Sequence, residues 1–349
     1  MMATTLSLKT FETGSVPFPT LEEAFGPSSL GILIVSDLPP QFAELRRKLL
    51  SHASYLAQLP SEQLDALTNV PAHYEIGWSH GVEKLKDGQY DTMKGSFYVD
   101  CQSFYLDKPT LDLPRHPSLT RGSGQNLWPS EAAIPGFRAE FEELCTLLID
   151  IGALVARAID LYAVRKIPDY GAGFLERVVR TSHTPKARLL HYFPPASGTT
   201  SEEDEDEDSW CATHLDDGCL TALISALFVD ESDALPPLVD RASPPTLNIL
   251  PKSPDPAVGL YIGSREGTVV KVNTPEDSIA FQTGEALEKI TGGRFRAVPH
   301  FVRGPNPRGA KVARNTLALF MQPDLDEVID KAAGLTYGEF VDAIVEKHA

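Results

Sequence analysis

The chain has 349 residues, 42% of them hydrophobic, enough for a sizeable buried core without stapling by disulfides or a structural metal. Acidic side chains (48) outnumber basic ones (31) for a formal charge of -17, a balance that argues against nucleic acid and anionic membrane surfaces as partners. Four cysteines, Cys101, Cys145, Cys211 and Cys219, make neither a disulfide framework nor a Cys-x-x-Cys pair, so a reducing, cytoplasmic setting is expected.

Met1 to Gly14 is rich in Thr and Ser and holds no apolar run of signal-peptide length, and no later stretch is long and apolar enough to span a membrane. Leu30 to Val35 is a short β-branched run that reads as a buried strand. The segment from Gln41 to Leu50, between Pro40 and Pro60, spaces its apolar residues as an amphipathic helix does. Phe137 to Tyr162 repeats that spacing over a longer stretch, with Phe141, Leu144, Leu147, Leu148 and Ile151 on one face. After about Lys186 the texture changes to short apolar segments split by Gly, Pro, Asn and Asp, which predicts an antiparallel sandwich or barrel. A last helix is expected over Leu325 to Lys347. No segment repeats at a fixed period.

Inside the β-rich part, residues 202–208 are seven consecutive acidic side chains, read with their flanks (201–209) as a solvated insertion. Subtracting those seven charges from -17 still leaves -10, so the acidity belongs to the folded body as well. The Pro-rich stretch Leu235 to Pro256 reads as a second surface insertion.

The chemistry concentrates in Trp210 to Thr221. In an extended strand, residues i and i+2 leave the same face, so His214 and Asp216 point together while Leu215 points away. Cys211, at an odd offset from His214, is expected to turn away from that face and pack in the core with Cys219; Asp217 is expected to face outward. His300, in the apolar run Phe295 to Val302, is the candidate third ligand. Two His and one Asp with open coordination positions suit a non-haem Fe(II) centre that accepts a chelating co-substrate and dioxygen. Further on, Arg314-Asn315-Thr316-Leu317-Ala318-Leu319-Phe320 alternates so that Arg314, Thr316, Ala318 and Phe320 share a face. A guanidinium beside a hydroxyl inside a barrel fits a carboxylate.

These segments, in this order, resemble the isopenicillin N synthase-like family of Fe(II)/2-oxoglutarate-dependent oxygenases, particularly a largely uncharacterised plant and fungal group. The resemblance spans nearly the whole chain: Gly31-Ile32-Leu33-Ile34-Val35, Gly77-Trp78-Ser79-His80, Lys94-Gly95-Ser96-Phe97-Tyr98, Arg188 to Pro195, His214-Leu215-Asp216, Thr283-Gly284-Glu285, His300 and Arg314-Asn315-Thr316. It implies a mainly β fold with α, a double-stranded β-helix (jelly-roll) core beneath an N-terminal helical layer, with a C-terminal helix. The whole chain, 1–349, is then one oxygenase domain: an N-terminal layer over 1–185, the core over 186–323 and the last helix over 324–349. It also implies Fe(II) on His214, Asp216 and His300, and 2-oxoglutarate held by Arg314 and Thr316, with His191 as a further co-substrate contact. Phe97, Tyr98 and Phe320 are candidate substrate contacts.

Two departures stand out. Many members carry Tyr immediately before the Pro, where this chain has Phe193, and Asn two positions earlier, where it has His191. The expected reaction is oxidation of a small organic molecule, an amino acid or specialised metabolite, by hydroxylation, desaturation or ring closure, with dioxygen as co-reactant. Three rivals stay open at this point: an Fe(II) oxidase that needs no 2-oxoglutarate, a Zn(II) hydrolase on the same ligands, and a non-catalytic binding protein.

Overall fold

A computed structural model describes residues 2–83, 88–104, 125–194, 210–241, 246–263, 267–305 and 311–348. The acidic tract, parts of the Pro-rich insertion and residues 306–310 lie outside the described residues. The N-terminal part runs β1 (Thr4–Ser7), α1 (Leu8–Glu12), α2 (Phe18–Phe25), β2 (Ile32–Ser36), α3 (Gln41–Ala57), α4 (Ser61–Ala66), β3 (Gly77–His80), β4 (Lys94–Asp100), α5 (Phe137–Lys166) and α6 (Phe174–Thr181). Short strands follow: β5 (Lys186–Tyr192), β6 (Cys211–His214), β7 (Leu220–Ile224), β8 (Leu227–Asp230), β9 (Ile249–Leu250), β10 (Gly259–Gly263), β11 (Val269–Val272) and β12 (Ile279–Thr283). Helix α7 (Glu285–Ile290), β13 (His300–Arg303), β14 (Val312–Met321), β15 (Val328–Asp330), β16 (Leu335–Thr336) and α8 (Tyr337–His348) complete the chain.

The strands build a large sheet in the order β1-β2-β12-β7-β14-β5-β4-β3, with β8 and β9 beside the first half of β14, and a small sheet in the order β11-β10-β13-β6. The result is a mixed α/β fold in layers. Alternation along β14 decides which layer each side chain meets. Leu317, Leu319 and Met321 join a core shared with Leu49, Leu50, Phe141, Leu144 and Leu148 of α3 and α5. Arg314, Thr316, Ala318 and Phe320 face the opposite way, toward the small sheet. A second apolar cluster, Ile32, Ile34 and Ala280 against Ile262 and Val272, joins the two sheets at one end.

The long helix arises as its spacing predicts. Phe137, Phe141, Leu144, Leu148, Ile151, Val155 and Ile159 of α5 are buried, and Gly152 lets the tip of Met321 approach the helix backbone. The C-terminal helix is shorter than expected, because residues 328–336 form a hairpin instead. Val328, Ile329 and Asp330 alternate exposed, buried, half-buried, Asp330 accepts hydrogen bonds from the backbone N–H of Ala332 and Ala333, and Gly334 takes a left-handed φ of 66° that turns the chain. No helix among the described residues is long and apolar enough to cross a membrane.

Phe97, a candidate substrate contact from the sequence, belongs to the helical side of the sheet. It is fully buried, and its ring meets those of Phe137, Phe141 and Trp128 at centroid distances of 5.4, 6.2 and 6.1 Å. Phe97→Ala is therefore expected to destabilise the fold by about 3–5 kcal/mol in denaturant unfolding, through lost burial and the cavity left behind.

Candidate metal and co-substrate site

Three side chains converge on the inner face of the small sheet. His214 ends β6 and His300 begins β13, and the two sit opposite one another in the antiparallel pairing with ring centroids 4.2 Å apart. Asp216 lies just past the strand end, and its Oδ1 is 3.8 Å from Nε2 of each histidine. One ligand atom from each of the three falls within 4.8 Å of the others, a spacing suited to a single divalent ion. Asp216 and His300 are buried, whereas the His214 side chain is 42% exposed, so one side of the centre stays approachable.

Neighbouring groups orient each ligand. Thr221 Oγ1 donates to Asp216 Oδ2 at 2.6 Å, which leaves Oδ1 for the metal. Nδ1 of His214 lies 2.7 Å from the carbonyl oxygen of Ala212, so an Nδ1–H there turns the Nε2 lone pair toward the centre. The fully buried amide of Gln282 lies 2.6 Å from Nδ1 of His300, while Gln282 Oε1 has no partner. Half a turn of that amide lets Oε1 accept from Nδ1–H and fixes the same tautomer at His300. Burial alone would lower the pKa of His214, but Cys211 and Asp216 beside it lift the imidazole to about 9. Burial holds His300 below the ordinary histidine range.

Cys211 corrects the sequence reading. Opposite the two-residue step from His300 to Val302, β6 advances three residues, from His214 back to Cys211. That bulge reverses the alternation, so Cys211 lines the same cavity as His214, with Sγ 3.8 Å from Nδ1. Asp217 is half-buried and not outward-facing; burial and then the charge of Asp216 raise its carboxyl to about 6. Cys219 is buried in the core as expected.

A cavity of about 600 Å³ opens between the sheets beside the triad, within the roughly 300–1,000 Å³ of small-molecule sites. Arg314, Thr316 and Phe320 line it, as their alternation predicts. Arg314 is buried, with Nε and Nη1 unpaired among the described residues. Burial pushes its pKa down, the mark of a charge that would gain from an anion. Thr316 Oγ1 lies 3.1 Å from the Ile224 carbonyl oxygen.

Tyr192, which sequence reasoning passed over, pairs with Arg314 across β5 and β14 and places its ring 5.1 Å from the guanidinium carbon. Tyr192, and not Phe193, is thus the aromatic on the cavity face. His191 consequently points the other way and does not join the site. Its Nδ1 donates to Asn315 Oδ1 at 2.8 Å, and Asn315 in turn donates to the Leu50 carbonyl and Ser54 hydroxyl of α3. Burial lowers the His191 pKa to about 4, so it is a neutral interlayer group and no co-substrate contact. Tyr98 also stands back from the cavity: its hydroxyl donates to Glu83 at 3.2 Å, and Arg188, which does line the cavity, lies over its ring.

No protein-family model matches the chain, and no curated protein does. Solved structures do. The chain superposes on a protein from Caulobacter crescentus assigned to the 2OG-Fe(II) oxygenase family with a TM-score of 0.67 and 20% identity, over 99% of both chains. A full-length Neurospora crassa protein, solved in complex with alpha-KG, gives a TM-score of 0.66 at 18% identity over 99% of this chain and 96% of that one. A dioxygenase for auxin oxidation from rice gives 0.60 at 14%, over 99% and 96%. At these identities the likeness establishes a common fold.

Removing the hydroxyl that holds Asp216, as in Thr221→Val, is expected to weaken Mn(II) or Co(II) binding about 10- to 100-fold in a chelator-competition titration. Because His214 must lose its proton to bind, metal affinity is expected to climb as pH rises toward about 9, by up to about tenfold per unit.

Proposed function

We propose that this chain is an Fe(II)- and 2-oxoglutarate-dependent oxygenase that oxidises a small organic molecule, and that all 349 residues serve one oxygenase domain. The two facing sheets are then the double-stranded β-helix of that fold, with α3 and α5 as its helical layer. The observation that carries the proposal is the pairing, in one cavity, of the His214–Asp216–His300 triad with a buried Arg314 whose Nε and Nη1 have no partner among the described residues. A hydrolytic metal needs the triad but gives no reason for the guanidinium, whereas a dicarboxylate that reaches both accounts for both.

The residues fit their expected guests. His214, Asp216 and His300 would hold Fe(II), and Arg314 and Thr316 would receive the far carboxylate of 2-oxoglutarate. Bound there, the ferrous centre supplies the redox chemistry by which dioxygen converts 2-oxoglutarate to succinate and carbon dioxide while a second substrate is oxidised. The protein's own contribution is positional. Thr221 and Gln282 fix the ligands, Tyr192 lies against the Arg314 guanidinium, and Leu190, Leu223 and Phe228 supply apolar walls that limit water. Of the three aromatic candidates Phe320 alone lines the cavity, which supports it as the substrate contact.

Anaerobic titration of the protein with Fe(II) and then 2-oxoglutarate is expected to develop the weak visible charge-transfer band of a chelated keto acid. Arg314→Leu is expected to weaken 2-oxoglutarate binding by at least about a hundredfold, the order of a lost charge-assisted bidentate contact, while metal affinity stays within about twofold. Unchanged co-substrate affinity in that variant would assign the clamp to another residue.

A further inference from the structure

We infer that the molecule oxidised in this cavity is an anion, a small carboxylate with an apolar body, and that Arg188 binds its charged group. The inference rests on the oxygenase reading above and adds the substrate class. Although the chain carries a charge of -17, its cavity is lined by four cationic side chains, Arg188, Lys252, Lys271 and Arg314, against two carboxylates, Asp216 and Asp255. Asp216 is committed to the metal, and Asp255 accepts a hydrogen bond from the Ala257 backbone N–H in its own turn. One 2-oxoglutarate dianion offsets the charge of Fe(II), so the cationic excess outlives the loading of both.

Arg188 is a separate anion position from Arg314. On β5 it pairs with Ala318, four residues along β14 from Arg314, which is about 13 Å at the rise of a strand. The guanidinium is held in place before any ligand arrives. Its Nε donates to Ser96 Oγ at 3.0 Å, its Nη2 donates to Ser96 and Glu83, and its carbon lies 4.9 Å from the Tyr98 ring centroid. Those bonds use Nε and Nη2 and leave the Nη1 edge. Glu83 is shared with Lys94, whose Nζ lies 2.9 Å from it and 3.0 Å from Asp91. Neither carboxylate lines the cavity, whereas Arg188 does, so the ion pair shows the cavity its positive member. The small side chain of Ala318 opposite leaves space, and the neighbouring Leu190, Leu223 and Phe320 offer an apolar bed. At the mouth, exposed Lys252 and half-buried Lys271 draw anions toward an otherwise acidic protein.

Calorimetric titration with phenylacetate and phenylacetamide, and with hexanoate and hexanamide, tests this on the full-length protein, with and without Fe(II) and 2-oxoglutarate under anaerobic conditions. Each acid is expected to bind at least about tenfold more tightly than its amide, as charge-assisted bonding requires. Arg188→Met is expected to erase that preference while 2-oxoglutarate affinity is unchanged. Lys271→Ala, on the edge strand β11, is expected to weaken acid binding several-fold and flatten its dependence on salt. Equal affinity for acid and amide, or a preference that survives Arg188→Met, overturns the inference. Failure to bind 2-oxoglutarate alongside a retained acid preference counts against the proposed function and not against Arg188.

Discussion

The antiparallel pairing of β6 with β13 is the contact on which the site depends. It sets His214 against His300 across two strands from distant parts of the chain, and the strand end beyond His214 swings Asp216 into the same space. Two imidazoles and a carboxylate brought this close without an ion would be costly to bury, which is why the ring of supporting groups matters. Thr221 and Gln282 come from β7 and β12, in the opposite sheet, so the ligands of one layer are steadied by the other. Metal geometry and the joining of the two sheets are thus one structural problem.

Strand β14 plays the complementary part. Its alternate residues serve two different layers: apolar side chains and Asn315 bind the helices, while Arg314 and Thr316 face the cavity. Slipping the strand by one residue would bury Asn315's partners unsatisfied and drive the guanidinium into hydrocarbon, so the register is held from both sides. The His191–Asn315–Ser54 bonds act as a pin between α3 and the sheet. They explain how a buried polar pair can lie next to the Arg314 cavity without belonging to it.

Much of this was legible in the sequence wherever a local period governs the outcome. The α3 and α5 faces, the strand after Leu30 and the shared face of Arg314, Thr316 and Phe320 follow from spacing alone, whereas His214 and Asp216 meet as expected but with Asp216 beyond the end of β6. What escaped depends on pairing between distant segments. Nothing near Cys211 announces that β6 will carry an extra residue against β13, and that single bulge turns the thiol inward. The choice between Tyr192 and Phe193 as the residue under Arg314 is set by registry with β14, so a motif read in a linear frame lands one position off. Phe97 and Tyr98 sit on a strand whose cavity-facing edge is already filled by Arg188, and only the sheet order reveals it. The hairpin before α8 hides because Leu325, Val328 and Ile329, with Leu335 seven residues beyond Val328, also satisfy a helical spacing.

The loop between β9 and β10 shapes the cavity mouth with Lys252, Asp255 and Pro256, yet it leaves from the short edge strand β9 and supplies none of the three candidate metal ligands. Arg314 and Thr316, by contrast, sit on an interior strand wedged between neighbours on both sides. Evolution can therefore redraw the doorway by insertion or exchange in that loop while the reactive heart stays as it is. Divergence among descendants of such a scaffold should pile up at the entrance, and changes of diet need not entail changes of chemistry.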